Sequence, residues 1–244
     1  MPLRDGELDQ GLKELNLVHM AEIVKDLLRR AQDDKWSHKR LLRELIEAER
    51  AFRRQRALQQ RIQRATLPEK WTLETFPFDR QPGVDRTLIN QLAELDWVKL
   101  GINLVFIGGA GVGKTGLLSA LLLKALLNGY TGIMQRTQDL LDDLHRSIAD
   151  RKTKYLLNRL TRLDVLFLDE MGYLRLNEDQ TNLFFKLMDD RYLAKKPTLI
   201  TTNLGYDSWG QFLKNPPMVQ ALQSRLRHRC VTVDIKGPDL RTPA

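Results

Sequence analysis

Residues 103–115 read NLVFIGGAGVGKT. The first five form an apolar run of strand length. A glycine-rich interruption follows, then a lysine and a hydroxyl residue. Beyond them, Leu117 to Leu127 read LLSALLLKALL, apolar on nearly every side, which predicts a buried helix over 115–128. Gly129 stands where a helix C-terminus favours a left-handed residue. Strand, glycine loop and helix are the context in which G-x-x-x-x-G-K-[ST] reads as a phosphate cradle, and Gly108, Gly113, Lys114 and Thr115 fill its fixed positions. The glycines let backbone N–H groups converge on phosphate oxygens without a Cβ in the way. The helix N-terminus adds partial positive charge. Gly108, Gly109, Ala110, Gly111, Val112, Gly113, Lys114, Thr115 and Gly116 are therefore expected to hold a nucleotide. Lys114 would reach the β and γ phosphates, and the Thr115 hydroxyl would ligate Mg²⁺.

Four more runs of strand length follow at intervals that can each hold a helix: TGIMQ (131–135), DVLFL (164–168), TLITT (198–202) and VTVDI (231–235). This alternation predicts a five-stranded parallel sheet with crossover helices, an α/β fold. DVLFLDE delivers Asp169 and Glu170 to the C-terminal edge of such a sheet, where open α/β folds bind ligands. Asp169 can hold Mg²⁺ directly or through water, and Glu170 can polarise an attacking water. A second acid suits hydrolysis better than phosphoryl transfer to an acceptor that brings its own hydroxyl. At the end of TLITTN, Thr201, Thr202 and Asn203 reach the same edge. Asn203 is either a γ-phosphate or water contact or an ordinary turn residue. QSRLRHRC places Arg225, Arg227 and Arg229 before the last strand, as a solvated face or as the source of an arginine finger acting in trans.

The 244-residue chain carries a net charge of +8 with a pI near 9.6, a balance suited to a polyanion such as nucleic acid. A single cysteine, Cys230, excludes an intramolecular disulfide and a cysteine-based zinc cluster. The N-terminus has no secretory pattern and the longest apolar run is too short to span a bilayer, so a soluble intracellular protein without membrane contact is expected. Residues 12–66 show helical periodicity in two stretches, Leu15 to Leu28 and Leu41 to Ile62, with a turn at QDDKWS, Ser37 as N-cap and Pro68 as terminator. This predicts a helical N-terminal domain over 1–68 and an α/β domain over 69–244. Pro77, Pro82 and Gly83 mark a linker or irregular lead-in between them.

Two basic tracts stand out. ERAFRRQRALQQRIQR carries Arg53 and Arg54 among six arginines with no acid after Glu49. HRSIADRKTK carries Arg146, Arg151, Lys152 and Lys154. Either tract can track phosphates or remain a solvated face. Few aromatics interleave them, so backbone contact without sequence reading is the natural expectation.

Taken together, FIGGAGVGKT, VLFLDEMGYL, LITTNLGYDSWGQF and ALQSRLRHR resemble the IstB-type transposition helper ATPases, relatives of the DnaC-type helicase loaders in the AAA+ class. The resemblance spans nearly the whole chain. It implies an AAA+ core with strand order 5-1-4-3-2 and no C-terminal helical lid. It implies ATP and Mg²⁺ as ligands, Asn203 as the sensor residue and Arg225 as the arginine finger. Gly116 departs from the larger polar residue that relatives often carry there. The implied function is an ATPase of the bacterial cytoplasm that forms ATP-dependent homo-oligomers on double-stranded DNA, marks or remodels the target and recruits a partner transposase. A replicative helicase loader is the alternative with the same chemistry. A nucleotide-gated DNA scaffold with negligible turnover is the alternative of another class.

Overall fold

The computed structural model describes residues 5–68, 71–172, 176–211 and 216–241. Tyr173, Leu174 and Phe212, from the tracts quoted above, lie outside them. The chain divides into two compact units, Met1–Gln60 and Arg61–Ala244.

The first unit is helical. α1 (Asp5–Glu14) and α2 (Val18–Asp33) are separate helices, whereas the periodicity predicts one helix running through Leu15. The break has a backbone cause: Asn16 adopts a left-handed φ of 58°, and Leu15 is left exposed between the two helices. α3 (His38–Arg64) begins after Ser37, whose Oγ accepts the Arg40 N–H at 3.3 Å as an N-cap does. The helix ends at Arg64, before Pro68. Met20, Val24 and Leu45 form a small core under Leu8, Leu12, Leu17, Ile23, Leu27 and Leu41. Buried Glu49 accepts the Met20 N–H at 2.9 Å and Arg53 Nε at 2.8 Å. Burial alone would raise the pKa of this carboxyl; the Met20 amide and the Arg53 guanidinium outweigh it and hold the pKa below the usual range.

The second unit is an α/β fold. Its lead-in, residues 71–85, is irregular but packed: Phe76 and Val84 are buried in the main core and Gln81 is fully enclosed. α4 (Arg86–Leu92), capped by the Asp85 carboxylate on the N–H groups of Thr87 and Leu88, and α5 (Asp96–Leu100) follow. Then come β1 (Asn103–Gly108), α6 (Lys114–Leu127), β2 (Gly132–Arg136), α7 (Thr137–Ala149), α8 (Thr153–Arg162), β3 (Val165–Asp169), α9 (Glu178–Leu193), β4 (Thr198–Thr202), α10 (Pro216–His228) and β5 (Cys230–Ile235). The five strands pair in parallel in the order β2-β3-β4-β1-β5, which is the expected 5-1-4-3-2 read from the other edge.

Residues alternate between the two faces of this sheet. Leu104, Phe106, Val165, Phe167 and Leu199 join the core built around α6. Val105, Leu166, Leu168 and Ile200 join a second core with α7, α8, α9 and α10. A sheet covered on both faces explains why its strands read as continuous apolar runs. α6 packs against β1, β2, β3 and β4, which accounts for its apolar circumference. Gly129 has the left-handed φ (96°) expected at its end. Residues 61–68 belong with this unit: Ala65 is fully buried and its carbonyl accepts the Met134 N–H at 2.8 Å. Among the described residues no helix is long and apolar enough to cross a membrane, and none follows β5.

One buried charge ties the second core together. The Arg191 guanidinium, 1% exposed, donates to the carbonyls of Leu160 (2.7 Å), Leu163 (3.1 Å) and Pro197 (2.6 Å) and to the Thr198 hydroxyl (3.1 Å). It thereby closes the end of α8 and the start of β4 onto α9. Arg191→Met strands these acceptors and should lower stability by about 3 kcal/mol in urea denaturation. Lys186→Ala, which breaks an exposed pair with Asp190 on the same helix, should change it by less than about 0.5 kcal/mol.

Candidate phosphate site

The C-terminal ends of β1, β4 and β3 lie side by side, with β4 in the middle. Register aligns them: Ile107 pairs with Thr202, Phe106 with Thr201, and Leu168 with Ile200. Asp169, one step beyond Leu168, consequently meets Thr201. The Thr201 hydroxyl donates to Asp169 Oδ1 and accepts the Glu170 N–H at 2.8 Å. From the phosphate loop, the Thr115 hydroxyl donates to the same Asp169 Oδ1 at 2.8 Å. Thr137 Oγ1 donates to the Asp169 carbonyl at 2.8 Å. Asp169 is thus almost fully buried (6% exposed) and held from three elements.

Glu170 is different. It has a left-handed φ of 57°, a backbone state that costs a non-glycine residue on the order of 1–3 kcal/mol. Two bonds hold it there: its own N–H to the Thr201 hydroxyl, and the next N–H, of Met171, to the Thr201 carbonyl at 2.8 Å. The turn leaves Glu170 exposed beside buried Asp169. Asn203 is exposed, and its Oδ1 lies 2.8 Å from where a Cβ on Gly172 would stand. The structure therefore brings Asn203 against the segment that follows the acid pair.

The loop from Gly108 to Thr115 fits an anion. Gly108, Gly111 and Gly113 have φ of 157°, 72° and 93°, and at 111 and 113 only glycine adopts such values without strain. Gly109 and Ala110 are exposed at the loop's crest, and Val112 is buried beneath it. Lys114 Nζ donates to the carbonyls of Gly108 (2.9 Å) and Gly109 (2.5 Å). Burial lowers the pKa of this ammonium; the attraction of Asp169 opposes that, and the charge of Arg241 reinforces it. A cation over a glycine loop at a helix N-terminus, with a hydroxyl and a carboxylate converging 2.8 Å apart, is a donor set for a triphosphate and one hard divalent ion. No cluster of three His, Cys, Asp or Glu side chains that could hold a metal ion occurs among the described residues.

Several contacts are not readable from the motif. Gly116 admits the Trp71 indole, which lies 3.3 Å from where its Cβ would stand. Gly113 likewise admits the Phe76 ring and the Leu240 side chain. Gln81 Nε2 donates to the carbonyls of Val112 (3.1 Å) and Pro238 (3.0 Å). Thr201 and Thr137 are the further site residues; TTN and the threonine opening α7 were visible in sequence, but only pairing assigns them to Asp169.

The remaining candidates lie elsewhere. Arg225, in the last turn of α10, pairs with Asp189 at 3.1 Å. With Asn103 and Thr198, the first residues of β1 and β4, it lines a small cavity at the N-terminal edge of the sheet. That edge is opposite the phosphate loop, so Arg225 is out of reach of its own site. Arg53 is committed to Glu49 and to the Asn16 carbonyl (2.6 Å), and Arg146 to Asp143 (2.7 Å). Arg54, Arg151, Lys152 and Lys154 are exposed, the last three at and just beyond the α7–α8 turn.

A family model described as IstB-like ATP binding protein matches residues 10–243. The insertion sequence IS21 putative ATP-binding protein of Pseudomonas aeruginosa is 34% identical over 235 residues, covering 96% of this chain and 88% of that protein. Among solved structures, AMPPCP-bound DnaA from Aquifex aeolicus is similar with a TM-score of 0.59 at 22% identity, over 70% of this chain and 51% of that one, about half its length. The DnaC helicase loader is similar with a TM-score of 0.54 at 26% identity, over 62% of this chain and 87% of that one. The chain belongs to the IstB-like ATP binding protein family, ATPases of the AAA+ class.

Proposed function

We propose that this protein couples ATP hydrolysis to assembly on duplex DNA, where it marks the target for a partner transposase. The observation that carries the chemistry is the chain of contacts Thr115–Asp169–Thr201–Glu170, which fastens the loop hydroxyl and both acids into one unit. The transposition role is supported by similarity along 96% of the chain to an insertion-sequence ATP-binding protein.

Bound Mg–ATP supplies the phosphoanhydride whose cleavage drives the cycle. The loop amides and Lys114 would hold the phosphates, while Thr115 and Asp169 would hold the metal ion. Glu170 would orient and deprotonate the attacking water, and Asn203, beside Gly172, would steady it. Thr201 positions both acids without touching the nucleotide. Arg225, at the far edge of the sheet, would serve a neighbouring copy's γ-phosphate, so that ATP bridges subunits and hydrolysis releases them. Exposed Arg54, Arg151, Lys152 and Lys154 are the proposed contacts to DNA phosphates. The committed guanidiniums of Arg53 and Arg146 would have to leave their carboxylates to join them.

A helicase loader is the second reading, favoured by the likeness to the DnaC loader. Capture of a replicative helicase in place of a transposase in parallel pull-downs decides for it. Phosphate release that stays at background with and without duplex DNA would leave only a nucleotide-gated scaffold.

Glu170→Gln should keep ATP affinity while slowing phosphate release by roughly 10²–10⁴-fold and trapping the assembly on duplex DNA. Dissociation of that variant in ATP as fast as the parent overturns the switch. Thr201→Val removes the hydroxyl that orients both acids. It should lower kcat on the order of tenfold with ATP affinity changed less than about threefold, and Thr201→Ser should restore the rate. Equal loss of rate and affinity in single-turnover and binding measurements would assign Thr201 to ligand binding instead.

A further inference from the structure

We infer that Tyr206 is a positioning residue for Arg225, setting through α10 the arginine that one subunit offers to the phosphates of the next. The inference rests on the proposed trans role of Arg225 and names the side chain that aims it.

The segment after β4 starts at the candidate site and ends on α10. Its first residues are fixed locally. The Thr202 hydroxyl accepts the Leu204 N–H at 3.0 Å, and the Leu204 carbonyl accepts the indole N–H of fully buried Trp209 at 3.4 Å. Asn203 is held by these ties without help from Tyr206. Tyr206 opens a short 3-10 turn (Tyr206–Gln211) and reaches two further elements. Its carbonyl accepts Gln223 Nε2 at 2.5 Å, and the Arg227 guanidinium lies over its ring, 5.3 Å from the centroid. Its hydroxyl shares a hydrogen bond with Thr232 Oγ1 at 2.8 Å and lies 3.7 Å from Cys230 Sγ. Its ring packs on that of Trp209, with centroids 5.1 Å apart.

Gln223 and Arg227, four residues apart, share one face of α10. Arg225, two residues from each, projects from the other side, where it meets Asp189 of α9. One tyrosine thus grips the end of α10 and the start of β5 together, behind the arginine. A guanidinium stands far from its helix axis, so a small rotation of α10 moves it by about 1 Å, a misplacement that can cost a reaction about 10²-fold. The helix keeps its place in the fold without this grip, because Leu222 and Leu226 are buried in the second core and His228 contacts Tyr192 at 3.3 Å. What the grip adds is the angle at which Arg225 is presented.

Mixed assemblies on duplex DNA separate the subunit that supplies the arginine from the one that hydrolyses. Glu170→Gln subunits retain Arg225 but lack the acid, and Arg225→Ala subunits retain the acid. Phosphate release by the mixture above the sum of its parts comes from Arg225→Ala sites served by Glu170→Gln neighbours. Tyr206→Ala in the Glu170→Gln subunits should lower that release on the order of tenfold, and in the Arg225→Ala subunits by less than about twofold. Tyr206→Phe, which keeps the ring beneath Arg227, should restore most of the rate, and Gln223→Ala in the Glu170→Gln subunits should lower it as Tyr206→Ala does. Equal loss from both placements of Tyr206→Ala, or no loss from either, overturns the inference while the trans arginine stands. A mixture no faster than its parts overturns the trans role of Arg225 and the inference with it.

Discussion

The insertion of β4 between the phosphate strand and the acid strand is the constraint on which the site depends. It places one hydroxyl, that of Thr201, where it can donate to the buried Asp169 carboxylate and accept the Glu170 amide. A carboxylate with 6% of its surface exposed is costly unless its oxygens are bonded, and here hydroxyls from two elements share one of them. The same threonine, through its carbonyl, holds the turn that carries Glu170 out of the sheet. Adjacent acids with opposite exposures are a consequence of that turn. One carboxylate is enclosed by hydroxyls, and its neighbour is exposed.

The phosphate loop is enclosed by segments distant in sequence. The lead-in contributes Trp71, Phe76 and Gln81, and the segment after β5 contributes Pro238, Asp239 and Leu240. Glycines at 111, 113 and 116 are needed for these approaches as much as for phosphate, since a Cβ at each would meet a carboxylate or a ring. The lead-in and the final segment are therefore tied to the loop through packing.

Charge is distributed by the same logic of satisfied burial. The basic balance of the chain suits a polyanion, yet several cations are occupied within the protein. Arg191 is enclosed by carbonyls, Arg53 neutralises Glu49, and Arg146 pairs with Asp143. The exposed basic residues Arg151, Lys152 and Lys154 lie at and beyond the α7–α8 turn, whose corner at Arg151 is left-handed.

The sequence by itself determined the α/β alternation, the phosphate loop and the acid pair, because each is encoded by residues adjacent in the chain. Apolar runs of strand length, glycines before Gly113–Lys114–Thr115 and an apolar lead to Asp169–Glu170 are local patterns with local causes. Family resemblance added the strand order. Local periodicity failed at Leu15, because a helical repeat does not register the single left-handed residue, Asn16, that divides α1 from α2. Tertiary structure alone decided that Thr201 governs both acids, that Arg225 lies at the far edge from its own site, and that residues 236–241 lie across the loop. Each depends on which strand is neighbour to which and on where a chain end packs, and hydrogen bonds between residues 30 to 160 positions apart leave no period or spacing to be read.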